Sequence, residues 1–348
     1  MPLDSELDKM DAKQAVYKVL GGLHGDYPIE IDEILVRSVW RPNIAVARTW
    51  SSPNFRVFIA GDAAHQNIPT GGYGMNTGIG DAFDLGWKLA AVVNGQAGPG
   101  LLRSYEQERK PVAIRNMSHS GVHFQVHNQL KEILAGGDPR RVDEDTQEGS
   151  ELRRRIHEYY QENDGENKDF GIEMDYRYTS PVILRGDADG AEPPWTARHY
   201  TPSTWPGSRP PHIFLSNGEA IFDLFGAHWT LLVFTEEDVG QNLLSATAKQ
   251  LSIPVKVVNL AHELLAKQLY GRNLVLIRPD QHVAWRGDSL ESEKIADQVL
   301  QTVTGRVTLG PVGFGSNGDT KDVSFKPKGR LVTQVDEFVL EKMGSFQE

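Results

Sequence analysis

Two apolar periods run along this chain, one near 3.6 and one near 2, and the switches between them lay out its elements. Over residues 11–22, DAKQAVYKVLGG, Val16, Val19 and Leu20 share one face and Gly21-Gly22 supplies a stop, which predicts a helix. From Ile29 to Trp50 apolar and polar residues alternate around a break at Arg41-Pro42-Asn43, the pattern of two strands or one bent strand. Arg56 to Ala60 is a short apolar run ending at Gly61-Asp62, as a buried strand would. An amphipathic helix follows, because Ile79, Ala82, Phe83, Trp87, Ala90 and Ala91 recur at three-to-four spacing before Asn94-Gly95 closes the run. Leu101–Arg109 and Val112–Leu134 read as two further helices, with Pro111 at the start of the second.

Charge clusters and then Pro/Gly-rich sequence occupy about 136 to 209, a linker pattern with one helix near Leu152–Tyr160. Residues 212–304 then read strand, helix, strand, helix, strand, strand, helix. The strands are clearest at Trp229–Phe234, Val255–Val258, Leu274–Arg278 and His282–Arg286, and Pro279-Asp280-Gln281 joins the last two as a hairpin. After Thr304 the chain is Gly- and Lys-rich as far as Leu331–Met343, a terminal strand or helix. There is no internal repeat.

Composition narrows the chemistry. The 348 residues carry 36 Lys+Arg against 47 Asp+Glu, a net charge of −11, which argues against a nucleic-acid binder. The length suggests two or three domains. With no cysteine, disulfides, thiolate metal sites and thiol catalysis are excluded, so chemistry must come from acids, bases, hydroxyls or a cofactor. Apolar runs such as Trp229–Phe234 fall far short of the roughly 18 residues that span a bilayer. The start MPLDSELDK is no signal peptide, and the final SFQE is neither a peroxisomal nor an ER-retention signal, which leaves the cytoplasm as the expected location.

The informative segment is RVFIAGDAAHQNIPTGGYGMNTGIGDA, Arg56 to Ala82. It reads as a strand that delivers Asp62 at its carboxyl end, a loop with glycines at 71, 72 and 74, and a helix start. In open α/β folds, ligands bind beyond the strand ends. Glycines let a backbone approach a flat ligand, a helix N-terminus offers unpaired N–H groups, and an acid can accept hydrogen bonds from sugar-type hydroxyls. Singly, Gly-Gly-x-Gly is usually a turn and an Asp after a strand an N-cap. Together they describe a site for a large polyhydroxylated, electron-accepting cofactor.

The whole string resembles the second FAD-binding motif of the group A flavoprotein aromatic hydroxylases, in the phenol 2-monooxygenase and chlorophenol monooxygenase branch. LGWKLAAV at 85–92, LLRSYEQERKP at 101–111 and LVLIRPDQHVAWR at 274–286 resemble that family too, and the likeness covers about residues 12 to 304. It implies that Asp62 hydrogen-bonds the ribityl chain of FAD, with Gly61 allowing close approach, and that Pro69 lies beside the reactive edge of the isoalloxazine ring. It implies that Gly71, Gly72, Gly74, Met75 and Asn76 form the turn whose N–H groups face the flavin pyrimidine oxygen. His65 matches a family position for which packing or loop anchoring is expected. Ile68 stands where the family commonly has proline, and Tyr73 where it has glutamine. No residue is assigned as catalytic base, because the matching region lies mostly upstream of Met1.

The expected fold is α/β: a partial FAD-binding domain, Rossmann-like and of the para-hydroxybenzoate hydroxylase type, followed by a thioredoxin-like α/β domain. Expected boundaries are 1–54 for the end of the middle, substrate-binding domain, 55–135 for the carboxyl-terminal part of the FAD-binding domain, 136–209 for a linker with a helix, 210–305 for the thioredoxin-like domain and 306–348 for a tail. Members of the family begin with a strand, a GxGxxG turn and a helix that hold the ADP half of FAD. No such turn lies near the N-terminus here, and GPVGFG at 310–315 has the wrong spacing and context. The chain therefore looks like the carboxyl-terminal half of such an enzyme, starting at its own methionine, and is expected to bind FAD weakly or not at all by itself.

Other constellations read as structural. His119, His123 and His127 share one helix face without the acid of a zinc-protease helix, so a hydrated or packed face is expected and no metal site. Arg153-Arg154-Arg155 is flanked by acids and reads as solvated. Tyr176, Arg177 and Tyr178 are either substrate-adjacent or core. By resemblance the activity is hydroxylation of a small phenolic substrate with FAD, NAD(P)H and O2, in a homodimer or with a companion chain carrying the amino-terminal half. The alternative is a non-catalytic homologue acting as a dimerisation or scaffold partner.

Overall fold

The computed structural model describes residues 11–22, 25, 27–37, 43–135, 138–186 and 189–307. The tail motif at 310–315 and the segment Leu331–Met343 lie outside the described residues. Two units emerge, one from Met1–Asn43 and His123–Asp164, the other from Ile44–Val122 and Gly165–Glu348.

In the first unit, α1 (Ala12–Gly21) starts where the Asp11 carboxylate accepts the Gln14 N–H at 3.1 Å and stops at Gly22, whose φ is +56°. The helix and its stop match the sequence, but Val19 and Leu20 on the expected inner face are exposed. Residues 29–37 form no strand, contrary to the alternation; Lys13 Nζ donates to the Ile31 carbonyl instead. Arg41 and Pro42 of the expected break lie outside the described residues. α4 (Gln147–Glu162) is capped by Thr146, and Arg154 pairs with Glu151 and Glu158 on its exposed face, as the flanking acids suggested.

A 37-residue helix, α3 (Pro99–Ala135), stands where the sequence suggested two helices broken at Pro111. Pro111 withholds one N–H from the ladder. Its ring faces solvent, while Tyr105, Ala113 and Met117 on either side pack into one core with Val46, Trp50 and Ala64, which holds both halves in line.

The second unit opens with β1 (Ala45–Val46), antiparallel to β2 (His65–Gln66). The expected strand Arg56–Ala60 starts in a bend at Arg56 and pairs only through a Ser51–Phe58 bridge, and Val57 is exposed. A strand needs a partner along its length. α2 (Tyr73–Val93) begins six residues before the periodic run; Trp87 and Ala91 of that run pack in the core as expected, but its first half is reversed. Asp81, Asp84 and Lys88 are buried, whereas Ile79 is 60% exposed and Phe83 55%. Apolar spacing identified the helix and the inner face of its second half, while ion pairs with α3 and the far hairpin bury the polar side of its first half.

α5 (Gly165–Lys168) and α6 (Phe170–Met174) follow. Backbone bonds then tie the following segment to the far domain, with Tyr178 N–H donating to Gly207 O, Leu184 N–H to Ala284 O and Gly207 N–H to Val283 O. That domain carries the predicted order: β3 (Trp229–Val233), α7 (Gln241–Gln250), β4 (Val255–Asn259), α8 (Leu264–Tyr270), β5 (Leu274–Ile277), β6 (Val283–Gly287) and α9 (Glu293–Val303). The sheet order is β4-β3-β5-β6, with β3 parallel to β4 and both other pairs antiparallel. Leu231, Val233, Leu274 and Leu276 face a core with Leu244 of α7 and Leu300 of α9. Leu232, Phe234, Val275 and Ile277 face a second core with Ala266 and Tyr270 of α8. Both faces are covered, so these strands read as continuous apolar runs, and the layout is the thioredoxin-like one expected.

Candidate functional site

One buried acid holds the glycine-rich loop in place. Asp81 of α2 accepts the Gly61 N–H at 3.1 Å and lies 2.7 Å from His65 Nε2, while its other oxygen accepts Arg109 Nε–H at 2.8 Å. Arg109 comes from α3; its remaining nitrogens donate to the Thr77 carbonyl at 3.0 Å and the Tyr178 hydroxyl at 3.1 Å. A Cβ at Gly80 would sit 2.7 Å from that guanidinium, so glycine is what lets Arg109 reach α2. Burial alone would raise the Asp81 carboxyl, but His65 and Arg109 hold it below the usual carboxylate range. His65 thus anchors the loop, in line with the role expected for it.

The loop leaves this clamp at Gly61, φ +58°, and passes Asp62, whose carboxylate is exposed. Pro69 is exposed, and the next residue, Thr70, ties the loop to α3 by donating to the Ser120 carbonyl at 2.5 Å. Gly71 and Gly72 follow with φ of +80° and +66°, conformations that favour glycine. The buried Tyr73 ring packs against Gly71, where a Cβ would collide with it. Gly72 is the N-cap of α2 with no side-chain cap bond, so the first-turn N–H groups of a 21-residue helix lack the partner a capping side chain would give. Gly74 and the exposed Met75 and Asn76 lie in that first turn, and Asn76 Nδ2 donates back to the Gly72 carbonyl at 2.9 Å. The sequence-predicted residues therefore gather on one loop and one helix end.

A second buried network, which sequence spacing did not reveal, joins this helix to the far domain. Lys88 Nζ lies 2.7 Å from Asp84 and 2.6 Å from Glu108 of α3. Arg278, at the start of the β5–β6 turn, donates to both Glu108 oxygens at 2.8 Å, reaches Asp84 at 3.3 Å and pairs with Asp280. His282 stacks on Tyr178 with centroids 4.2 Å apart, and Tyr178 is buried. Asp84 and Lys88 are i, i+4 neighbours on α2, whereas Glu108 and Arg278 are 170 residues apart, a pairing that sequence spacing does not show. Asp84, Glu108 and Asp280 are also close enough to ligate a metal, but Lys88 and Arg278 already supply the compensating positive charge.

Three acids against two cations leave one negative charge to be met by a proton. Burial pushes Asp84 up to about 7, whereas Arg278 and Lys88 overcome burial to hold Glu108 down to about 2, and Arg278 and His282 hold Asp280 well below the usual range. The folded form therefore binds a proton on Asp84 more tightly than the unfolded chain, so stability falls as pH rises toward and through neutrality. Glu108 and Asp280 act oppositely, with stability present above the ordinary carboxylate range and lost as pH falls below it. Urea unfolding should show about 1 kcal/mol less stability at pH 8 than at pH 6. Asp84→Asn should flatten that difference, and an unchanged slope in the variant would assign it elsewhere.

Comparison with known proteins follows the same geography. A family model for an FAD binding domain matches residues 5–120, and one for the C-terminal region of aromatic-ring hydroxylases matches residues 203–307. The FAD-dependent monooxygenase apdD of Emericella nidulans is 43% identical over 311 residues, covering 87% of this chain and 49% of that protein. The FAD-dependent monooxygenase opdD of Penicillium oxalicum is 44% identical over 303 residues, covering 85% and 57%. Phenol 2-monooxygenase of a Pseudomonas strain is more distant, at 27% over 319 residues. Among solved structures, the rebeccamycin biosynthetic enzyme RebC with reduced flavin superposes with a TM-score of 0.71 at 34% identity, over 86% of this chain and 53% of that one. The chain spans about half the length of the curated relatives it matches.

Proposed function

The chain belongs to the FAD-binding aromatic-ring hydroxylases, and on that premise we propose that its Gly61–Asn76 loop contacts FAD in a monooxygenase acting on an aromatic substrate with NAD(P)H and O2. The observation that carries the reading is the pairing of an exposed acid, Asp62, with a side-chain-uncapped helix start at Gly72, both on a loop fixed by buried Asp81. The residues fit the isoalloxazine and ribityl end of the cofactor. Gly61 brings the backbone close, and Asp62 accepts hydrogen bonds from ribityl hydroxyls. Pro69 lines the reactive edge of the ring. The turn from Gly71 and Gly72 into Gly74, Met75 and Asn76 presents N–H groups to the pyrimidine oxygen, where negative charge develops on reduction. Bound FAD supplies the electron transfer and oxygen activation. This chain's residues orient it, hold the loop against movement and stabilise charge.

The ADP half of the cofactor calls for a strand–GxGxxG–helix unit, which the described residues do not contain. Exposed Met75, Ile79, Phe83 and Val93 on α2 suit an apolar sheet from further sequence or a companion chain. The substrate is aromatic; a phenol is one candidate, and the fungal relatives match more closely than the phenol hydroxylase does.

Flavin fluorescence titration tests the reading. The 348-residue chain should bind FAD weakly but saturably, and Asp62→Ala should bind at least tenfold more weakly with unchanged thermal stability, because Asp62 is exposed. Equal affinities would remove Asp62 from the cofactor site.

A further inference from the structure

The turn proposed to meet the flavin pyrimidine oxygen is already engaged by an acid of this chain. Gly71 N–H donates to Glu166 Oε1 at 2.6 Å, across 95 residues of sequence. Glu166 lies on α5, and Asp169 and Glu173 bring further negative charge to the same place, since all three raise the buried Tyr73 hydroxyl beyond the effect of burial itself. A carboxylate accepting a backbone N–H beside a helix N-terminus gains from the helix dipole as well as from the bond. It shows that this turn accepts an oxygen bearing negative charge.

We propose that Glu166 competes with FAD for the Gly71 amide and so sets both the affinity of the loop for flavin and its preference between the oxidised and reduced forms. The inference rests on the FAD reading of the loop. A pyrimidine oxygen and the Glu166 carboxylate cannot share one N–H at hydrogen-bonding distance without repulsion, because both are acceptors. Cofactor entry therefore requires Glu166 to leave the amide. Reduction puts more negative charge on the ring end nearest the turn, so a carboxylate held close by disfavours the reduced form more than the oxidised one. Glu166 is partly exposed, which leaves it room to swing out. Tyr73, packed over Gly71, keeps the turn in shape when it does.

The test is an FAD titration of the 348-residue chain and its Glu166→Gln, Glu166→Ala, Glu173→Gln and Asp62→Ala variants, with the midpoint potential of bound flavin measured for each. Glu166→Ala, which frees the amide, should bind oxidised FAD about tenfold more tightly than the parent, and Glu166→Gln, whose neutral carbonyl oxygen still accepts from Gly71 but more weakly, should gain less. The reduced form should gain more, and each further tenfold preference for it raises the two-electron potential by about 30 mV. Glu173→Gln, which removes a nearby charge without freeing the amide, should change affinity less than twofold. An unchanged affinity in both Glu166 variants, with Asp62→Ala still weakened, would overturn the competition and leave the FAD reading standing. An equal gain from Glu173→Gln would replace competition by a general field effect and overturn it too. Absence of FAD binding in every protein would overturn the reading and this inference together.

Discussion

Methionine in place of Arg278 is expected to destabilise the protein by about 3–5 kcal/mol, the usual cost of breaking a buried ion pair from one side. Arg278 is buried and holds Glu108 through two hydrogen bonds while pairing with Asp280 and Asp84. Methionine fills much of the volume, so the loss is electrostatic rather than a cavity. Lys88 would be left as the one cation facing three carboxylates. At least one of these must then take up a proton that it lacks in the parent, so the variant should be least stable at high pH and recover partly as pH falls. Urea unfolding at pH 6 and pH 8 checks both statements. A loss below about 1 kcal/mol would mean that the network contributes registration between α2, α3 and the hairpin rather than stability.

Asp81→Asn is the second large expected effect. The carboxylate compensates buried Arg109, meets His65 and accepts the Gly61 N–H, so an amide leaves a guanidinium without its counter-charge and presents a donor where acceptors are needed. About 3 kcal/mol of stability should be lost. FAD affinity should fall at least tenfold, because the turn carrying Asp62 is released. Arg109→Lys, which keeps a cation but loses the planar fork that also reaches the Thr77 carbonyl and the Tyr178 hydroxyl, should lose stability while retaining more of the flavin affinity, since Gly61 keeps its acceptor. Equal losses of affinity in the two variants would mean that stability alone governs the loop.

The far domain was legible because its physics is local. Strands covered on both faces are uninterrupted apolar runs, and the hairpin announced itself at Pro279-Asp280-Gln281. The chemistry of the loop was legible as a motif, since Gly61, Asp62 and the glycines from 71 to 74 are consecutive or nearly so. What spacing could not convey was pairing at a distance. Periodicity put Ile79 and Phe83 inward on α2, and they are exposed because the ion pairs of Asp81, Asp84 and Lys88 depend on Arg109, Glu108 and Arg278 from elsewhere in the chain. The same limit hid Glu166, whose link to Gly71 spans 95 residues. Pro111 misled in another way: a proline predicts a helix start, yet a core on both sides of it keeps α3 continuous.

The central claim, that this loop takes the isoalloxazine and ribityl end of FAD, is tested most directly by competition. Flavin fluorescence titrations of the 348-residue chain should be run with FAD and with FMN, each with and without excess ADP. FAD and FMN should bind with affinities within about threefold of each other and ADP should displace neither, because the contacts proposed here reach only the part that both flavins share. FAD binding far more tightly than FMN, or yielding to ADP, would place the principal contacts on the adenine side and contradict the account.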